Sequence, residues 1–293
     1  LKNWKPENYG KKFYGPTTFR KGIEYSRNLM TVRIAKMLGV DKILDLSKKL
    51  DIYNEIPELL SVSLGAAETS LLNLTAAYAS FVNGGTKIDP NLISRIQDRR
   101  GKTIFKVTNR ACQGCDKFIN QSLQYPKIIN NNERVFSEET AYQMVTILSG
   151  AVQRGTAKKL KSLNVPLAGK TGTTNDNYDA WFIGFSSNLV IGVYIGFDNP
   201  KTLGKYETGS KAALPIFKDF VENALFKEDF KDFKIPKNIY LTSLNYDTGL
   251  KSSSGEKNTI IEALKIKDIN NIENNNLISI NSRDTLIKFR QFY

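Results

Sequence analysis

Two short stretches carry residues whose types and spacing suit chemistry. The first is Lys170-Thr171-Gly172-Thr173-Thr174, set between Ala168-Gly169 and the aromatic run from Asp179 to Phe185. Lys170 supplies a cation, and the Thr171 hydroxyl can donate to a carboxylate. Gly172 lets a ligand come close to the backbone of a strand. A Thr173 backbone N–H facing out from a sheet edge can stabilise an oxyanion. The same five residues also suit a polar turn that starts a strand, and short motifs arise by chance. The second stretch is Ser26-Arg27-Asn28, just ahead of an apolar helical pattern. Its plain explanation is capping, because Ser and Asn side chains satisfy the free amides of a helix start.

The residue types that are absent narrow the chemistry. The chain has no histidine. A Ser-His-Asp triad and a Cys-His pair are therefore excluded, and the usual zinc sites lose their commonest ligand. Any general base must be Lys, Asp, Glu or Tyr. Cys112 and Cys115 make one Cys-x-x-Cys without a second pair, so they do not complete a tetrahedral metal site. They are expected to form a small loop disulfide in an exported protein and to stay as two thiols otherwise. No metal and no cofactor is expected. The one Ser-x-x-Lys, Ser254 to Lys257, has a spacing at which a lysine can activate a serine on one helix face. Gly255 inside the would-be turn and the run of serines make it a surface loop instead.

The elements around these residues follow from periodicity. Residues 1–22 are polar and aromatic and read as loop or short strand. From Ser26, apolar Leu29, Met30, Ile34, Met37 and Leu38 recur at helical spacing and Gly39 ends the helix. A second helix follows from Asp41. A third is capped by Thr69 or Ser70 and stopped by Gly84-Gly85. Alternating residues around a turn at Arg99 to Gly101 predict a hairpin, and the segment around Cys112 reads as loop. A fourth helix opens at Ser137, with Glu138 and Glu139 in its first turn. After Lys170 the period becomes two, which predicts antiparallel strands joined at Ser186 to Asn188. A helix with Pro215 in its first turn closes this part. From about Lys227 a small β unit is expected, then the low-complexity, mobile Asn-rich segment from Ile269 to Asn276. The pattern is α+β, without the alternation of a parallel sheet.

The chain has 293 residues, 41% of them hydrophobic, enough for one large domain or one domain plus an appendage. Its net charge is +13, and the first fifty residues hold twelve Lys and Arg against four Asp and Glu. Such an excess favours anionic partners, including phospholipid, nucleic acid and a lipid-linked pyrophosphate. The abundance of Lys, Ile and Asn also suits an AT-rich genome. No zinc module or RNA-recognition signature accompanies the charge, so nucleic acid is not an expected partner. No segment approaches the roughly twenty apolar residues of a membrane helix, and no signal peptide is visible. The sequence begins at Leu1, so an export signal removed by processing or truncation would not show.

Ser-x-Asn followed far downstream by Lys-Thr-Gly resembles the penicillin-interacting serine transpeptidases. The stretches "YGPTTFRKGIEYSRNLMTVRIAKMLG", "SVSLGAAETSLLNLTAAYASFVNGG", "QRGTAKKL", "LAGKTGTTNDNYDAWFIGFSSNLVIGVYIGFDNP" and "ALPIFKDF" are similar to class A penicillin-binding proteins of the 1A type. So is the tail segment "KIPKNIYLTSLNYDTGL". The likeness covers nearly all of the chain. It implies a penicillin-binding/β-lactamase-like transpeptidase fold, an antiparallel sheet flanked by helices, over residues 1–226. Residues 227–293 would be a small, partly flexible C-terminal β extension.

The resemblance implies cross-linking of peptidoglycan. A serine attacks the D-Ala-D-Ala end of a stem peptide, D-Ala leaves, and an amine of a neighbouring stem resolves the acyl-enzyme. β-Lactam antibiotics mimic the stem and stall the enzyme. Ser26 would relay a proton, Asn28 would orient the substrate amide and Lys170 would shape the electrostatics. Thr171, Gly172, Thr173 and Thr174 would line the substrate strand, with the carboxylate on Thr171 and the oxyanion on the Thr173 amide. The larger protein would be a bifunctional synthase that also uses the lipid-linked precursor. It would sit on the periplasmic side of the inner membrane through an N-terminal anchor.

One departure stands out. The family places Ser-x-x-Lys before Ser-x-Asn, whereas none lies in the about twenty-five residues ahead of Ser26. The sequence therefore implies an N-terminally truncated fold, inactive for acylation by itself, with an exposed strand edge that invites aggregation. A smaller departure is Gly209-Ser210, where two glycines are usual. Two other readings share these motifs: a serine β-lactamase of the same fold, and a non-catalytic remnant or scaffold.

Overall fold

The computed structural model describes residues 4–107, 110–113, 127–253 and 255–269. It opens with a short helix, α1 (Phe19–Glu24), started by Thr18, whose hydroxyl accepts from the Lys21 amide. Composition had assigned this stretch to loop or strand. The correction has a physical reason: so short a helix shows no repeat of period 3.6, and its stability comes from tertiary partners of Arg20 and Glu24, both buried.

Helix α2 (Asn28–Leu38) ends at Gly39, whose φ of 93° suits glycine. Helix α3 (Val40–Lys49) follows directly. In α4 (Leu71–Val82) the cap is Ser70, which accepts from the Asn73 amide. Thr69, the alternative, donates instead to the Ile52 carbonyl at 2.6 Å.

The expected hairpin forms as β1 (Arg95–Gln97) and β2 (Thr103–Lys106). Asp98 holds its turn by accepting from the Arg100 and Lys102 amides. The segment around Cys112 is not loop. It forms β3 (Arg110–Gln113), which pairs antiparallel with β4 (Lys127–Asn130), Cys112 opposite Ile128. Such pairing depends on a strand distant in sequence, so local composition does not reveal it. Cys112 is disulfide-bonded, and Cys115 lies outside the described residues.

Helix α5 (Glu138–Gln153) begins at Ser137, which accepts from the Thr140 amide. Two acidic residues in its first turn face the positive end of the helix dipole. The central sheet is antiparallel, in the order β5 (Ala168–Thr173), β6 (Ala180–Phe185), β7 (Val190–Ile195). Helix α6 (Ala213–Ala224) covers one face of it. There Phe217 meets Phe182 edge-on with ring centroids 4.9 Å apart. The other face packs on α5, where Val145 and Leu148 join Ala168 and Phe185. Strands β8 (Ile239–Asn245) and β9 (Thr259–Lys265) form a separate antiparallel pair. It docks on α5: Gln143 Nε2 donates to the Ala263 carbonyl at 3.0 Å, and Lys265 Nζ to Thr140 Oγ1 at 2.7 Å. The Asn-rich segment after Ile269 lies outside the described residues.

Gly184 marks how tightly α6 seats on the sheet. A Cβ there would stand 2.5 Å from the Phe217 ring and 2.6 Å from that of Phe182. Gly184→Ala should therefore destabilise the fold by about 1–3 kcal/mol. A urea titration checks this: the midpoint should fall with an unchanged slope, and an unmoved midpoint would contradict the packing described.

Candidate active site

Strand β5 carries the Lys-Thr-Gly residues and pairs on one side with β6. Among the described residues no strand pairs with its other side, so it is a sheet edge. Side chains alternate along a strand. Lys170 therefore shares a face with Ala168, which packs on α5.

Ser26 follows α1 and sits at φ 52°, a left-handed conformation that is rare for residues other than glycine. The backbone around it enforces this turn: the Ser26 amide donates to the Ile23 carbonyl at 3.1 Å, and the Arg27 amide to that of Gly22 at 2.9 Å. Backbone held in such regions clusters at functional sites.

Capping does not explain Ser26 and Asn28. The residue before α2 is Arg27, and it makes no side-chain cap bond. Asn28 is the first helical residue, and its Nδ2 donates to the Glu7 carbonyl at 3.0 Å. The capping acceptor is Asn8, whose Oδ1 takes the Leu29 amide at 3.2 Å. Arg27 turns away, stacking 3.9 Å over the Tyr14 ring. The Ser26 hydroxyl is left to accept from the Lys170 ammonium. Lys170 also donates to the Thr171 carbonyl at 2.9 Å. Burial pulls the Lys170 pKa from 10.5 down to about 8. The ammonium form thus dominates at neutral pH, but the proton is held more loosely than usual.

The other strand residues divide. The Thr171 hydroxyl meets that of Thr156 at 2.9 Å. Thr173 Oγ1 accepts from the Gly209 amide at 3.0 Å. Gly172 lies against Trp181, 3.1 Å from where its Cβ would be. Thr174 is taken up by the turn to β6, its hydroxyl accepting from the Asp179 amide at 2.7 Å. The structure thus joins the Ser26 and Lys170 side chains, while the hydroxyls of Thr171 and Thr173 are engaged by Thr156 and Gly209, Asn28 by the Glu7 carbonyl and Thr174 by the turn. Ser254 lies outside the described residues.

Two contributors escaped the sequence reading. Thr156 stands in "QRGTAKKL", quoted above only for its likeness. Gly209 had been noted only as part of a departure. A Cβ on Gly209 would fall 2.4 Å from the carbonyl oxygens of both Gly172 and Trp181, so only glycine lets this segment lie on the strand.

An antiparallel sheet between helices, with a Lys-Thr-Gly edge strand facing a Ser-x-Asn turn, defines the penicillin-binding transpeptidase fold. The chain belongs to that family: the penicillin binding protein transpeptidase domain model matches residues 1–222. It is 42% identical over 284 residues to penicillin-binding protein 1A of Rickettsia felis, covering 95% of this chain and 35% of the relative. It is 29% identical to penicillin-binding protein 1A of Pseudomonas aeruginosa over 298 residues, covering 91% of this chain and 36% of the relative. The crystal structure of penicillin-binding protein 1A from Haemophilus influenzae superposes with a TM-score of 0.74 at 30% identity, over 88% of this chain and 42% of that one. The chain spans roughly a third of the length of these curated relatives.

The depressed Lys170 pKa has a consequence for stability. Between about 8 and 10.5 the unfolded chain holds this proton and the folded chain does not. Folding is therefore favoured progressively as pH rises through that window. Urea unfolding of the parent and of Lys170→Met across this range checks it. The parent should gain stability relative to the variant as pH rises, and a constant difference would contradict the burial of the ammonium.

Proposed function

We propose that this chain supplies the Ser-x-Asn and Lys-Thr-Gly half of a peptidoglycan D,D-transpeptidase site. The observation that carries the reading is the bond between the Lys170 ammonium, on an open strand edge, and the hydroxyl of Ser26 in a strained turn. That pair links a cation to a hydroxyl that can pass on a proton, which is the machinery of acyl transfer without histidine.

In this reading an extended stem peptide lies along the free edge of β5. Its terminal carboxylate is received by the Thr171 hydroxyl, with Lys170 shaping the electrostatics, and the Thr173 amide takes the scissile carbonyl as negative charge develops. Asn28 orients the substrate amide. A serine from a Ser-x-x-Lys segment attacks the carbonyl, Ser26 relays the proton to the departing D-Ala amine, and an amine of a second stem then resolves the ester. β-Lactams would occupy the same groove, in keeping with the family to which residues 1–222 belong.

The whole protein would work on the periplasmic side of the inner membrane, on the stem peptides and lipid-linked precursor, tethered by an anchor outside this chain. Among the described residues no helix is long and apolar enough to cross a membrane. Residues 227–293 would be a C-terminal extension to the transpeptidase domain of residues 1–226.

The sequence holds Ser-x-x-Lys only at Ser254 to Lys257, so the 293-residue polypeptide should not acylate by itself. Incubation with a fluorescent penicillin followed by a denaturing gel should give no band, and a stoichiometric covalent band would contradict this and point to Ser254. In a longer protein that carries an upstream Ser-x-x-Lys, Lys170→Ala should slow acylation roughly a hundredfold or more. Acylation at the parental rate would overturn the assignment. Rapid nitrocefin turnover by the longer protein would make it a β-lactamase instead.

A further inference from the structure

Glu24 is fully buried and has no part in the chemistry above. Its carboxylate accepts from Arg154 through Nε at 3.1 Å and Nη2 at 2.7 Å, and from the Tyr246 hydroxyl at 2.6 Å. The Arg20 guanidinium stands 3.4 Å away. Arg20 in turn grips the Glu262 carboxylate through two nitrogens. It also donates to the carbonyl and hydroxyl of Thr146, each at 2.9 Å. One charge network therefore ties together α1, α5 and the β8–β9 pair.

The ends of α1 and α5 are fitted to this carboxylate. A Cβ on Gly150 would lie 1.7 Å from Glu24 Oε1, and one on Gly155 2.1 Å from the Glu24 carbonyl oxygen. Both links from these helix ends to the Lys-Thr-Gly strand begin beside it. The Glu24 carbonyl accepts from the Thr156 amide at 3.1 Å, and the Thr156 hydroxyl meets Thr171. Ser26, two residues after Glu24, meets Lys170. A buried charge holds its place only while its partners are complete. The position of both links thus depends on the partners of Glu24.

We infer that Tyr246, in the turn that follows β8, and Glu262, on β9, are positioning residues for the Lys170 site, acting through Glu24 and Arg20. Neither lies within residues 1–222, the span of the family match. The support of the site therefore extends into the segment that composition separates from it. Burial, and then the bond to Glu24, push the Tyr246 phenol above its ordinary 10.0, so it remains a donor across the physiological range. The inference rests on the proposed function only in calling the site a transpeptidase site.

The test follows the titration of the Lys170 ammonium by NMR in the full chain with labelled lysine, which needs no substrate. In the parent the midpoint should fall at about 8. Tyr246→Phe removes one hydroxyl and keeps the ring. It should loosen the Ser26 turn, admit water to the ammonium and move the midpoint up toward 10.5. Glu262→Gln should move it the same way and serves if Tyr246→Phe does not fold. Asp247→Asn breaks the exposed Lys21 bridge made from the same turn after β8 and should leave the midpoint alone. An unmoved midpoint in a folded Tyr246→Phe or Glu262→Gln chain overturns the inference. So does an equal shift in Asp247→Asn, which would reduce the effect to general loosening. A longer protein that fails to acylate while these shifts appear would overturn the functional reading alone.

Discussion

Taking a lysine ammonium out of water costs free energy, and the structure around β5 is arranged to hold one there nonetheless. Lys170 keeps its charge at neutral pH because a hydroxyl and a carbonyl oxygen replace part of its lost hydration. The hydroxyl can do so only if Ser26 stays in a backbone conformation that serine seldom adopts. That conformation is held by amide bonds back to the last turn of α1, so a very short helix becomes a condition for the site. A helix so short does not persist by propensity, and the bonds of Arg20 and Glu24 to α5 and to the C-terminal strands supply what it lacks.

The rest of the fold serves two further demands. The strand must be rigid, and it must keep one edge open. Rigidity comes from aromatic packing: Phe182 against Phe217 on one face, and Phe185 with Tyr78 and Phe233 on the other. Openness comes from the strand order, which leaves β5 at the sheet edge among the described residues, while glycine at Gly172 and Gly209 lets a second segment press on the strand without side-chain bulk between them. The hydroxyl of Thr173 is tied to Gly209, so this threonine is set in place before any ligand arrives.

Much of this was legible in the sequence because it is local. Helix α5 announced itself through its Ser137 cap and the acidic pair Glu138 and Glu139 in its first turn, and the β6–β7 pair through its period of two and the turn at Ser186 to Asn188. Lys170 to Thr173 were identifiable as a strand edge because a small apolar pair and an aromatic run bracket them. What stayed hidden is non-local. Helix α1 depends on Glu262 and Tyr246, more than two hundred positions away. Strand β3 depends on β4. The true cap of α2 is Asn8, twenty-one positions ahead of the amide it receives, which is why Ser26 and Asn28 looked like caps. Glu24 offered no signal at all, since a single acidic residue near a helix end is ordinary on a solvated face.

The central claim is that the Ser26 turn and the edge of β5 together form a groove for a penicillin or for the stem peptide it mimics. The most direct measurement is a titration of the 15N-labelled chain with benzylpenicillin, following backbone amides by NMR. The account predicts saturable, reversible shifts concentrated at Ser26, Asn28 and Lys170 to Thr173, without a covalent adduct. Shifts confined to other parts of the chain, or none at millimolar ligand, where affinities near −4 kcal/mol are still detected, would contradict it.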